Sequence, residues 1–402
     1  MKPISFSPPD ITEEEVKEVN EALLSGWITT GPKTKKLERV IAEYVGVPNC
    51  VCLNSQTACA EMALRLLDIG PGDEVIVPAY TYTASCSVVC HVGATPVMID
   101  SQKDCLEMDY DKVALAINEK TKAIIPVDLG GCVCDYDRIF EIVNSKKHLF
   151  KPNNDIQKAF GRVVVLADTA HSLGGDYHGK RAGSLADFSS FSFHAVKNMT
   201  TAEGGALTWK NIPGIDSGEL YHQLQLLSLH GQSKDALAKT KLGAWEYDIV
   251  GTWYKCNMTD VVAAIGLAQM RRYDKLLKRR KEIVRKYNDG LKDLDLKLLP
   301  HLCEDKTSSC HLYIVRLLGF TSEQRNKFIE LMAESGIACN VHYKPLPMFT
   351  AYKQLGFDIK NYPNAYEHYY DEVTLPLHTK LSDEDVDRII FTFKEVYKQL
   401  KE

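Results

Sequence analysis

The run Val163-Val164-Val165-Leu166-Ala167-Asp168-Thr169-Ala170-His171 decides how this chain is read. Its apolar, β-branched half has the composition of a strand buried on both faces. The acid at its carboxyl end stands where α/β sheets present ligand-binding groups, although a cap on the next segment would use the same residue. Outward from this run, similar short apolar stretches occur at Val51–Leu53, Glu74–Pro78, Thr95–Ile99 and Ala123–Val127, with helix-period segments between several of them. That alternation implies a parallel or mixed sheet covered on both faces, with ligands held beyond the carboxyl ends of the strands.

Three further strand ends carry chemistry. Phe188-Ser189-Ser190-Phe191-Ser192-Phe193-His194 has strand character and leads to Lys197, ahead of the pair Gly204-Gly205. A lone lysine is ordinarily a surface charge. Between a buried strand and a glycine turn, where a backbone must approach something closely, it can also be a phosphate ligand or a Schiff-base nucleophile. After Leu53, Asn54-Ser55-Gln56-Thr57-Ala58 opens a helix expected over Cys59–Leu67, gathering hydroxyls and unpaired helix-start amides as an anion site. It lacks the lysine and glycines of a nucleotide P-loop, and no GxGxxG is present. The pair Tyr80 and Tyr82 follows a third strand. An acid, a lysine, an aromatic face and an anion cradle are together what pyridoxal phosphate requires.

Composition bounds the alternatives. A chain of 402 residues, 45% apolar and 25% charged, has interior enough for two domains without staples. The net charge of -5 offers no global basic field for nucleic acid. No apolar run approaches the roughly 18 to 20 residues that span a bilayer, and the acidic N-terminus without a signal core favours the cytoplasm. The 12 cysteines lie mostly in apolar context without CxxC spacing, as reduced structural thiols do.

Near Asn257 the texture changes. Thr259 or Asp260 is expected to cap a small-residue helix, followed by an amphipathic helix from about Asp274 to Leu291 whose Lys278-Arg279-Arg280-Lys281 run reads as a solvated face rather than a nucleic-acid patch. A strand at Leu312–Leu317 and helices at Ser322–Ser335 and Asp383–Leu400 complete a smaller α+β unit. The expected division is residues 1–257 as the large cofactor-binding domain and 258–402 as connecting helices and a small domain. Residues 143–160 read as an insertion without a legible role.

The segments SGWITTGPKTKKLE (25–38), GPGDEVIVPAYTYTAS (70–85), GATPVMID (93–100), DTAHSLGG (168–175), SFSFHAVKNMTTAEGGAL (190–207), NMTDVVAAIGLAQM (257–270) and DEVTLPLHTKLSDEDVDRII (371–390) resemble the DegT-type (DegT/StrS) nucleotide-sugar aminotransferases. The resemblance spans about Ser25 to Ile390 and implies the aspartate-aminotransferase fold (fold type I of pyridoxal-phosphate enzymes). By it, Lys197 forms the Schiff base, Asp168 partners the pyridine nitrogen, His171 lies near the ring hydroxyl and Tyr82 stacks on the ring. Thr57 and Ala58 hold the phosphate with help from Ser192. Asn257, with Lys255 a neighbour, reaches the phosphate of the adjoining subunit, which implies a homodimer. Trp27, His342 and Tyr343 fall in segments near the sugar nucleotide, Trp27 being equally readable as interface packing and His342 as a structural histidine.

Two departures stand out. The family commonly has Ser-Gly-Thr where this chain has Ser55-Gln56-Thr57, and Ala202 replaces the usual glycine before Glu203. Lysine at position 197, where related sugar dehydratases carry histidine, implies transamination. The implied reaction carries nitrogen from L-glutamate to a keto-sugar nucleotide, an NDP-4-keto-6-deoxyhexose for preference, through the pyridoxamine phosphate form, with no metal. A keto-cyclitol or 3-keto sugar nucleotide as acceptor, and a non-catalytic ligand sensor, are the rival readings.

Overall fold

The computed structural model describes residues 2–233 and 246–401. Its main sheet has seven strands: β1 (Asn49–Leu53), β2 (Glu74–Pro78), β3 (Thr95–Ile99), β4 (Thr121–Ile124), β5 (Val164–Asp168), β6 (Phe188–Ser192) and β7 (Gly205–Trp209). They lie in the order β1-β7-β6-β5-β4-β2-β3, with every neighbouring pair parallel except those made by β7. The sheet is therefore mixed and mostly parallel. Val164 to Ala167 are fully buried, as a strand covered on both faces must be.

Helices α1 (Glu13–Leu24), α2 (Pro32–Val45), α3 (Gln56–Leu66) and α4 (Ala84–His91) precede or cover this sheet, and α5 (Asp260–Arg271) and α6 (Tyr273–Leu291) follow it. The helix expected from Cys59 starts three residues earlier because Ser55 caps it, its hydroxyl accepting from Ala58 N at 3.1 Å. Asp260 does cap a helix, but not its own. It lies at the start of α5 and accepts from Gly31 N at 2.8 Å, Thr34 N at 2.9 Å and Lys33 N at 3.0 Å, closing the N-terminus of α2.

A second sheet of β8 (Leu296–Leu298), β9 (Tyr313–Leu317) and β10 (Glu372–Leu375) is antiparallel throughout. Its core gathers Ile283 and Tyr287 of α6, Phe328 of α7 (Ser322–Glu334) and Phe393 of α8 (Asp383–Lys401). Ile4, from the far end of the chain, joins this core by bridging to Ile337. The basic run on α6 is not wholly solvated: Arg280 is buried and its guanidinium donates to the carbonyl of Leu377 at 2.8 Å.

The segment 143–160 has a role in the fold. Its Asn154 caps the short helix Asp155–Phe160. From there Asn154 Nδ2 donates to Leu66 O at 3.0 Å and Gln157 Nε2 to Leu67 O at 2.6 Å. These carbonyls are among those a helix end leaves unpaired, so the insertion ties down the C-terminus of α3, whose N-terminus opens on the site described next.

Candidate active site

A cavity of about 470 Å³ lies beyond the carboxyl ends of β5 and β6. Thr57, Tyr82, Asp168, His171, Ser192, Lys197, His342 and Tyr343, far apart in sequence, all line it. Ala58, Asn257, Lys255 and Trp27 are not among its lining residues.

Asp168 ends β5 and is buried. Ser85 Oγ donates to its Oδ2 at 2.7 Å and Ala170 N to its Oδ1 at 3.1 Å. Burial raises the carboxyl above its ordinary range, while Ser85, Ala170 and the Lys197 ammonium oppose that shift. Ser85 is held in turn by Thr81, whose hydroxyl is 3.0 Å away. Burial lowers the Lys197 amine to about 8, against the pull of Asp168.

His171 has a defined tautomer. Its Nδ1 accepts from Gly130 N at 3.2 Å, so the ring proton sits on Nε2 and points to the Tyr343 hydroxyl 3.2 Å away. Burial, with Lys197 nearby, lowers its pKa well below the ordinary value, and the ring stays neutral. Tyr82 is exposed to the cavity, 5.9 Å from the Tyr343 ring, whereas Tyr80 turns into the core and donates to His342 O at 3.0 Å. One aromatic of the pair is thus structural.

The anion cradle is the start of α3. Ala58 N–H is taken by the Ser55 cap, which leaves the amides of Gln56 and Thr57 in the first turn without an intrahelical partner. No acid stands in that turn, so the helix dipole is uncompensated and suits an anion. Gln56, where the family has glycine, turns inward and donates from Nε2 to Ser190 Oγ at 3.0 Å. Gly205 of β7 is required here: a Cβ would lie 2.4 Å from Ser55 C and 2.5 Å from Gln56 N. Ala202 keeps a glycine-like backbone, with φ of 71°.

The residues that sequence alone left unmarked are Ser85, Thr81, His194, Glu203 and the pair Glu372 and Thr374 behind His342. Ser85 sits in the first turn of a helix after a strand, the position at which a donor to a strand-end acid is to be sought. Outside the cavity, Asn257 Nδ2 donates to Thr30 Oγ1 at 2.6 Å and bonds Lys255 through its oxygen. Trp27 Nε1 donates to Thr30 O at 3.1 Å, so both anchor on one residue.

A parallel-sheet cavity that holds a half-buried lysine, a buried acid and a helix N-terminus is the site of a pyridoxal-phosphate enzyme of fold type I. The model of the DegT/DnrJ/EryC1/StrS aminotransferase family matches residues 9–394, and the chain belongs to that family. Spr1654 of Streptococcus pneumoniae, provisionally described as a sugar aminotransferase, is similar in its pyridoxamine-phosphate form at a TM-score of 0.96 and 60% identity over 99% of this chain and 100% of that one. It is also solved in its pyridoxal-phosphate form. PseC of Helicobacter pylori, an aminotransferase of pseudoaminic acid biosynthesis, is similar at a TM-score of 0.86 and 27% identity over 99% and 100% of the two chains. The spore coat polysaccharide biosynthesis protein SpsC of Bacillus subtilis is 35% identical over 98% of this chain and 97% of its own. The protein is a pyridoxal-phosphate-dependent sugar aminotransferase. Among the described residues no helix is long and apolar enough to cross a membrane.

Proposed function

We propose that this enzyme moves an amino group from L-glutamate to the keto group of a nucleotide-linked sugar, a 4-keto-6-deoxyhexose for preference, and so supplies an amino sugar for polysaccharide or glycan synthesis in the cytoplasm. The observation that carries the reading is the convergence of Lys197 and Asp168 on one cavity, with the amine lowered to about 8. Pyridoxal phosphate, when bound, supplies an aldehyde for the lysine and an electron-accepting ring.

Lys197 would bond that aldehyde and, once released by the amino donor, carry the proton at its Nζ between substrate and cofactor carbons. Asp168 would keep the ring nitrogen protonated, held ionised by Ser85 and Ala170. The Nε2 proton of His171 would turn from the Tyr343 hydroxyl to the ring hydroxyl once the cofactor is bound. Tyr82 would cover the ring face, and Thr57, Ser192 and the Gln56 and Thr57 amides would hold the phosphate. Ala58 would act through the helix start it helps close. His342 and Tyr343 would meet the sugar nucleotide, and Trp27, outside the cavity and anchored with Asn257 on Thr30, would pack at the subunit interface. The part PseC plays in pseudoaminic acid biosynthesis and SpsC in spore coat polysaccharide biosynthesis supports the sugar and polysaccharide parts of this reading.

We assign Asn257 to the neighbouring subunit's phosphate site, which makes the working unit a homodimer. Its position away from the cavity of its own chain supports this. Residues 1–257 and 258–402 would form the large and small domains.

An absorption spectrum of cofactor-loaded protein, before and after L-glutamate and then a keto-sugar nucleotide, tests the donor and acceptor. The visible band should vanish with glutamate and return with the sugar; a band indifferent to glutamate discards that donor. Mixing Lys197→Ala with Asn257→Ala subunits tests the shared site, because only a cross-subunit site lets the hybrid regain activity.

A further inference from the structure

His342 lines the cavity and is held through its Nδ1 by residues of β10. Its Nδ1 lies 3.0 Å from Thr374 Oγ1, and Thr374 Oγ1 is hydrogen-bonded to Glu372 Oε1. The second carboxyl oxygen, Oε2, accepts from His342 N at 2.9 Å. Glu372 and Thr374 are two apart on β10 and share a face of the strand. Thr374 is fixed by backbone pairing, its N donating to Asn340 O at 2.8 Å and its O accepting from Asn340 N at 3.0 Å. Phe6 stacks on the imidazole with centroids 5.4 Å apart. The ring is fixed in place, and what remains variable is which nitrogen carries its proton.

We propose that Glu372 and Thr374 are positioning residues that set the hydrogen-bonding sense of His342 towards the cavity, making Nε2 a donor while Glu372 is protonated and an acceptor once it is ionised.

A hydroxyl has one proton to give, so the chain has two consistent states. With a proton on Glu372, the carboxyl donates to Thr374, Thr374 donates to Nδ1, and the imidazole proton must sit on Nε2. With Glu372 ionised, Thr374 donates to the carboxylate and accepts from Nδ1–H, which leaves a lone pair on Nε2. The backbone N–H of His342 occupies Oε2 in both states, so Oε1 alone carries the change.

Glu372 is fully buried, and burial pushes its carboxyl up to about 8. The groups that face it are Thr374 and His342, the Arg325 guanidinium from α7, and the neighbouring Asp371. Tyr80, Tyr343 and Cys339, all pushed up by burial, also lie close enough to feel its charge. Asp371 is neutralised by Arg316 at 2.6 Å, and Arg325 gives one nitrogen to the carbonyls of Tyr369 and Glu372, at 3.1 and 3.0 Å. His342 itself stays neutral, since burial and Lys197 lower it to about 3. At neutral pH the imidazole is then a neutral Nε2 donor on a residue that lines the cavity. A sugar nucleotide offers that donor an oxygen lone pair from its keto group, its hydroxyls or its phosphates. This consequence rests on the sugar-nucleotide reading; the relay itself does not.

The test is nitrogen-15 NMR of the cofactor-loaded full chain with ring-labelled histidine, the His342 signals being assigned by their loss in His342→Asn. In the wild type the proton is expected on Nε2 well below pH 8 and on Nδ1 well above it. In Glu372→Gln it should stay on Nε2 throughout, because the amide oxygen must face His342 N–H and so turns its NH₂ to Thr374. Thr374→Ser should behave as the wild type, and Thr374→Val should lose the pH response. A wild-type proton on one nitrogen across the range, or a glutamine variant that still switches, overturns the relay. Should Glu372→Gln fail to fold, the wild-type titration and Thr374→Val decide the matter. In turnover, Thr374→Val should raise KM for the keto-sugar nucleotide about fivefold, the worth of one hydrogen bond, with little change in kcat. A switching imidazole in a protein that does not aminate the sugar nucleotide would remove the substrate reading and leave the relay standing.

Discussion

Ser85 Oγ donates to Asp168 Oδ2 at 2.7 Å, tying the first turn of α4 to the last residue of β5. The bond opposes the burial that raises the Asp168 carboxyl. Ser85→Ala should weaken the ionised form by about 1.5 kcal/mol, the scale of a hydrogen bond to a charged group, and lower kcat about tenfold. The acid limb of the kcat profile should move to higher pH, because the carboxyl then ionises later. An unchanged profile would show that Ser85 does not tune Asp168.

Lys197 gives a pH dependence of its own. Its amine, lowered to about 8 by burial, is neutral and nucleophilic above that pH. Uptake of pyridoxal phosphate by the apoenzyme, followed by absorbance, should therefore accelerate as pH rises through about 8. Lys197→Ala should give no lysine-linked band and no turnover.

The same shift has a stability consequence with a definite sign. Between about 8 and 10.5 the unfolded chain holds the Lys197 proton and the folded chain has released it, so stability of the apoenzyme should rise with pH across that window. Below about 8 both states are protonated and the buried charge is a constant cost. Thermal melts of apo wild type and apo Lys197→Ala should converge as pH rises; parallel curves would contradict the assignment.

Gly205 lets β7 lie against the start of α3. Alanine would set a Cβ 2.4 Å from Ser55 C, and the obstacle is backbone that cannot rotate away. Gly205→Ala should cost about 1 to 3 kcal/mol in denaturant unfolding. Because the displaced atoms form the anion cradle, affinity for pyridoxal phosphate should fall with stability.

Ala202 adopts a φ of 71°. A left-handed alanine costs about 1 to 2 kcal/mol, and part of that gain is lost to the greater chain entropy of glycine. Ala202→Gly should therefore raise stability by about 0.5 to 1 kcal/mol, read from the denaturation midpoint. An equal or lower midpoint would mean that the surrounding loop already absorbs the strain.

Local chemistry made much of this protein legible from its sequence. Runs such as Val163–Ala167 must be buried, since so apolar a stretch has no stable solvent-facing form, and their short length and β-branched composition favour strands over helices. The acid, lysine and hydroxyl-rich turn at strand ends announced a cofactor, because every strand of the sheet but β7 delivers its carboxyl end to one edge. What sequence did not disclose depends on contacts across large separations. Asp260 capping α2, Gln157 closing the end of α3 and Arg280 turning inward are each satisfied by backbone groups distant in the chain. Tyr80 and Tyr82 are alike in sequence, and only the packing of the segment around His342 sends one to the core and the other to the cavity. Glu372 and Thr374 lie about 30 residues from His342 along the chain and carry no signal by themselves. A hydrogen-bond relay is a property of three side chains meeting in a buried space, and that meeting is decided by the tertiary structure.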